Sequence, residues 1–217
     1  MSSVVTTERI RSSLASAHEQ LRGSGTWWNA EQLGAIASRA RDGFVQRSRP
    51  PWLRDLPDTA DGLPAEAVEV IDRVVADAGT IDRDWVQARV TQLGEGAYVE
   101  LVGITAVAVI MHMYAECVDE VVAPFTPPDP QAGEPSRQYP DGVGDIGAHV
   151  RMLEPFDYAN VARALSLVPS ANLAFYTLVR PMYSEAGFDE LVWATPLSRP
   201  QVELIASRVA SMNECFY

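Results

Sequence analysis

Cysteine is scarce in this sequence, which holds only Cys117 and Cys215 among its 217 residues. Two cysteines cannot build the disulfide framework of a small secreted domain, so a reducing, cytoplasmic location is predicted. Residues 1–7 also lack the basic region followed by an apolar run that marks a secretory signal peptide.

Positive charge is the second shortage, since 17 basic residues face 29 acidic ones and the net charge is −12. Nucleic acids and anionic membranes both require a basic surface, so neither is expected as a partner. The longest apolar stretch, from Leu101 to Met111, is shorter than the roughly 20 residues that span a bilayer. An acidic, soluble protein is therefore predicted.

No segment alternates apolar and polar residues with the period of two that is typical of a strand, whereas helical periodicity covers most of the chain. The sequence therefore predicts an all-α fold, and its 47% of apolar residues suffice for a core. The predicted helices are residues 8–22, 30–46, 64–78, 83–93, 96–122, 158–167, 171–183 and a last helix from 198.

Proline and glycine interrupt this pattern after residue 123. Six prolines lie between positions 124 and 140, and glycines follow at 142, 144 and 147. Neither a helix nor a sheet interior accepts that density of breakers, so this segment is predicted to be a linker or an extended arm wrapping a neighbour. The predicted organisation is a helical domain over 1–123, a linker over 124–150 and a second helical unit over 151–217.

The last helix carries the most specific pattern in the chain. Ser198 and Gln201 form a predicted capping-box pair, and Pro200 is tolerated in a first turn. An apolar stripe, predicted to be buried, repeats at helical spacing with Glu203 beside it; its members are Val202, Ile205, Val209 and Met212. A straight helix would place Glu203 about 18 Å from Cys215, so contact between them requires a bend, which we predict at Asn213. A new helix beginning there would lower the pKa of the Cys215 thiol.

This segment, from residue 197 onward, resembles the carboxymuconolactone decarboxylase and alkylhydroperoxidase D superfamily. The family motif runs Glu, eleven residues, Cys, two residues, Cys, three residues, His, and Glu203 and Cys215 stand at the first of these separations. Residues 98–103 and 160–169 are similar to a closing and an opening helix of such domains, which implies a tandem arrangement. In the first domain, the position twelve residues after Glu31 is Gly43, so that domain lacks the thiols and is expected to be catalytically silent.

The resemblance implies a peroxidase-type oxidoreductase. A thiolate or selenolate attacks the hydroperoxide, and a second thiol then resolves the oxidised product as a bridge. By resemblance, Glu203 is the proton-relay carboxylate and Cys215 the resolving thiol, with a small-molecule hydroperoxide and a thiol electron donor as partners. A homo-oligomer is also implied, and neither a cofactor nor a metal is expected.

The attacking chalcogen of this motif falls directly after Tyr217, so the 217-residue chain is expected to show little or no turnover. One interpretation is a UGA codon that encodes selenocysteine, because a selenol ionises at neutral pH more readily than a thiol of pKa about 8.5. A deliberate cut and a nonsense mutation are the alternatives, and the codon after Tyr217 decides between them.

Two other functions stay open from the sequence. The first is a noncatalytic helical oligomerisation module. The second is a lactone decarboxylase-type enzyme, which uses no cysteine pair and is therefore less consistent with Cys215. Glu100 is predicted to be an ion-pair or cap partner at the edge of the core rather than a catalyst. His112 and Cys117 lie five residues apart, on different faces of a helix, and are predicted to be structural.

Overall fold

The computed structural model describes residues 6–60, 62–120, 125–155, 160–183 and 197–212. Helix dominates this part of the chain, and the predicted all-α fold is confirmed. The α-helices are α1 (Glu8–Gln20), α2 (Ala30–Gln46), α3 (Ala65–Ala76), α4 (Arg83–Leu93), α5 (Glu95–Val118), α6 (Asn160–Arg163), α7 (Pro169–Tyr183) and α8 (Arg199–Met212). Strands β1 (Val143–Gly144) and β2 (Met152–Leu153) form one short antiparallel pair.

Local sequence signals explain where several helices begin. The Asn29 side chain accepts a hydrogen bond from the Gln32 backbone N–H, and the Gln32 side chain accepts one from the Asn29 N–H, which completes a capping box on α2. Asp82 caps α4 by accepting from the N–H of Trp85. These caps satisfy backbone donors that the first turn of a helix leaves without partners.

The core is built around α5, which packs against α2, α3, α4 and α7. By length and composition α5 is suited to cross a membrane, but half of its most apolar window is buried inside the protein. In this structure it is the central helix of a bundle. The predicted absence of a membrane partner and the cytoplasmic location stay predictions.

Helix α7 closes the bundle by packing against α1 and α5. Its residues Ala171, Ala174 and Leu178 join one hydrophobic cluster with Leu21, which follows α1, and Leu101 of α5. The family resemblance implies that the helices from residue 158 to 212 lack partner helices in this chain, and that expectation is wrong for α7. The division into two helical units stays a prediction.

Residues 125–155 form an extended arm on the surface of the chain's own helices. The backbone N–H groups of Asp129 and Arg137 donate to the carbonyls of Arg22 and Thr26, at 2.9 and 2.8 Å. Farther along, the backbone N–H of Arg151 donates to the Glu95 carboxylate at 2.7 Å. These bonds let the arm cross the bundle and return the chain to α7.

Candidate functional site

Glu203, the proposed proton-relay residue, lies in the second turn of α8. The helix begins as the sequence predicts, because the Gln201 side-chain oxygen accepts from the backbone N–H of Ser198 at 2.8 Å and Pro200 occupies the first turn. The Glu203 carboxylate is about half exposed, and it pairs with Arg199, one turn earlier, with Nε 3.5 Å from Oε1. The carboxylate thus lies at the protein surface.

The predicted stripe of α8 is not buried, and within residues 199–212 the helix has no buried side chain. Ile205, Val209 and Met212 are 54%, 50% and 68% exposed, and Leu204 is 71% exposed. The prediction of a buried stripe is therefore wrong, because periodicity shows that a face is apolar and does not supply a partner to cover it. Among the described residues, none buries the apolar face of α8.

Glu203 occupies a different side of α8 from most of this apolar face. Two residues of helix correspond to a rotation of about 200°, so Glu203 points nearly opposite to Ile205. The partly shielded residues of α8 share the Glu203 side; they are Arg199, Val202, Glu203 and Ala210. Cys215 and Asn213 lie outside the described residues, so the bend and the approach of Cys215 to Glu203 stay predictions.

Gly43, the position at which the family resemblance would place a motif cysteine, lies buried on α2 and faces α3. A Cβ at this position would stand 3.4 Å from Cγ1 of Val75. Gly43 also lines a cavity of about 260 Å³ whose lining includes Arg39 and Asp72. Two nitrogens of the Arg39 guanidinium donate to the Asp72 carboxylate at 2.7 and 2.5 Å, and this pairing raises the pKa of Arg39. The cavity is thus lined by an ion pair. The expectation that the first domain is catalytically inactive depends only on the thiols that it lacks.

Glu100 is the most deeply buried carboxylate among the described residues, at 1% exposure. It accepts backbone N–H bonds from Thr26, Trp27 and Trp28 at 2.7, 2.7 and 3.1 Å. The prediction of an ion-pair or cap partner at the edge of the core is therefore wrong, because Glu100 lies inside the core and binds loop backbone that precedes the N-cap of α2. Burial raises the pKa of Glu100, and the three hydrogen bonds oppose that rise. All three donors belong to the loop between α1 and α2, so this carboxylate has a structural role in holding that loop.

His112 lies on α5 with only 7% exposure, and no described group forms a hydrogen bond with its buried Nε2. Its ring meets Phe125 of the arm edge-on, with 5.7 Å between centroids. Burial lowers the pKa of His112 to about 4; the charges of Arg41 and His18 add to that effect, and Asp42 opposes it. His112 is therefore neutral at pH 7, as befits a core residue, while Cys117 on the same helix is exposed.

The described residues offer no group of three or more His, Cys, Asp or Glu side chains that would hold a metal ion. Comparison of the chain with protein families, curated proteins and solved structures finds no match. The likeness to the alkylhydroperoxidase D superfamily therefore depends on the residues quoted above.

Proposed function

We propose that this chain serves a thiol- or selenol-dependent reduction of hydroperoxides, with Glu203 as proton relay and Cys215 as resolving thiol. The observation that carries the proposal is the placement of Glu203. A carboxylate about half exposed projects from a helix that starts where the motif requires, and the thiol follows twelve residues later.

The chemistry requires two chalcogens. In the complete motif, the thiolate or selenolate at the second chalcogen position would attack the terminal oxygen of the hydroperoxide. The O–O bond breaks, and the alkoxide takes up a proton from water and leaves as the alcohol. Cys215 then attacks the resulting sulfenic or selenenic acid, the bridge forms and water leaves. A dithiol donor returns two electrons to open the bridge. Glu203 would accept the proton of Cys215 and pass it to the departing oxygen.

The pairing of Glu203 with Cys215 is testable in the chain as it stands. In a Cys117→Ser background, the pH profile of Cys215 alkylation reports the apparent pKa of its thiol. Glu203→Gln is expected to move this pKa downward, because a nearby negative charge disfavours a thiolate. Glu66→Gln removes the same charge from α3 and is the control. Equal profiles for the two variants would separate Glu203 from Cys215 and remove the proton relay.

Self-association is the second candidate function, and the exposed apolar face of α8 favours it. Four large side chains of this helix, from Leu204 to Met212, are at least half exposed, and such faces promote association in water. Ile205→Asp should then reduce the sedimentation coefficient of the protein, whereas Ser207→Asp adds the same charge on the Glu203 side of α8 and should not. If the parent and both variants sediment as monomers, self-association through α8 is excluded.

A further inference from the structure

A cavity of about 250 Å³ lies beside α7, apart from α8 and from the ion-pair cavity at Gly43. Its wall is mostly apolar and is formed by Leu153 of β2 together with Pro169, Leu173 and Tyr176 of α7. At roughly 30 Å³ for each water-sized group, it has room for about eight non-hydrogen atoms. The size suits a small molecule.

The cavity exists because α7 has two faces. Ala171, Ala174 and Leu178 are buried in the core, and the opposite side of the helix is left to line the cavity. Two hydrogen bonds fix the walls. The Tyr176 hydroxyl donates to the Val161 carbonyl at 2.9 Å, and the backbone N–H of Leu153 donates to the Ser166 hydroxyl at 2.9 Å. The walls of the cavity are therefore held by contacts within the chain itself.

The described lining of the cavity carries a positive charge, in contrast to the net charge of −12 of the protein as a whole. Arg180 is the single charged residue in the described lining, and its guanidinium lies 5.6 Å from the centroid of the Tyr176 ring. It forms no ion pair with a described residue. Asn172 and Thr177 add hydrogen-bonding groups. An uncommitted guanidinium beside an apolar wall is complementary to an anion that carries an apolar body, because a carboxylate matches its donor geometry.

We infer that this cavity binds a small carboxylate with an apolar chain or ring, whose carboxylate meets Arg180 and whose apolar part lies on Leu153 and Leu173. The inference does not depend on Cys215 or on peroxide chemistry. The cavity is shallow and the guanidinium is exposed, so the dissociation constant should be on the order of 1 mM.

Nuclear magnetic resonance titration of the full chain with octanoate tests this site. Octanoate should shift the methyl signals of Leu153 and Leu173 in a saturable manner. Added salt should weaken octanoate binding, because the Arg180 guanidinium is exposed to solvent. The neutral 1-octanol and the cationic octylammonium are the matched probes, and both should bind at least fivefold more weakly.

Variants separate the contribution of charge from that of the apolar wall. Arg180→Gln should bring octanoate down to the affinity of 1-octanol, and Arg208→Gln, which removes an exposed arginine from α8, should leave octanoate unchanged. Leu173→Ala should weaken octanoate and 1-octanol alike. Equal affinity for the three probes, octanoate binding that is insensitive to Arg180→Gln, or shifts confined to Leu204 of α8 would each overturn the assignment.

Discussion

His112 should make the stability of this protein depend on pH in the neutral to mildly acidic range. Its folded pKa is about 4, below the usual value of 6.5. As the pH falls below about 6.5, the unfolded chain binds a proton at His112 that the folded chain does not accept. Unfolding is therefore favoured progressively, and the stability that is complete above pH 6.5 is lost toward pH 4.

The magnitude follows from the two pKa values. One pKa unit corresponds to about 1.4 kcal/mol, so the complete effect is about 3 kcal/mol, and about 2 kcal/mol is lost between pH 8 and pH 5. Urea unfolding at a series of pH values measures it. His112→Gln cannot titrate and should remove most of this slope, while His149→Gln, at an exposed position, should retain it. The same slope in His112→Gln and in the parent would refute the assignment to His112.

Two packing predictions concern the core. Gly25→Ala places a Cβ 2.5 Å from a carboxylate oxygen of Glu100, so the substitution should lower the free energy of unfolding in urea by about 2 kcal/mol. Gly133→Ala, whose Cβ meets open space, should be close to neutral. Equal effects of the two substitutions would contradict the close approach of Gly25 to Glu100. Leu178→Ala removes a fully buried side chain of α7 and should cost about 3 kcal/mol in thermal unfolding, whereas Leu173→Ala on the exposed side should cost less than about 1 kcal/mol. A small loss for Leu178→Ala would show that α7 is not docked on the bundle.

The sequence predicts the positions of the helices well because the signals for helix formation are local. Asn29 with Gln32 begins α2, and Ser198 with Gln201 begins α8, each through contacts within a single turn. Periodicity supplies the rest, since an apolar side chain every three to four residues requires only the helix itself.

The packing of those helices could not be predicted in the same way. The apolar faces of α7 and α8 look alike as patterns, yet Leu178 is fully buried and Ile205 is 54% exposed. What separates them is the route of the arm, which carries α7 back to α1 and α5. That route depends on backbone hydrogen bonds such as the one from Arg137 to Thr26, which residues of almost any type can form.

The two candidate sites differ in the same way, because one has a local sequence signal and the other does not. Glu203 is recognisable because it shares a spacing with Cys215 within one continuous segment. The cavity beside α7 gives no such signal, because Leu153, Ser166 and Arg180 come from separated parts of the chain and meet only after folding.

Peroxide-driven bridge formation tests the proposed redox role most directly. The chain is compared in three forms, all in a Cys117→Ser background: as it stands, with one cysteine added after Tyr217, and with that addition plus Cys215→Ser. The proposal predicts that only the second form converts two thiols into an intrachain disulfide with equimolar hydroperoxide and shows dithiol-dependent turnover, which Glu203→Gln slows. Turnover that persists after Cys215→Ser, or the absence of a bridge in the second form, would contradict it.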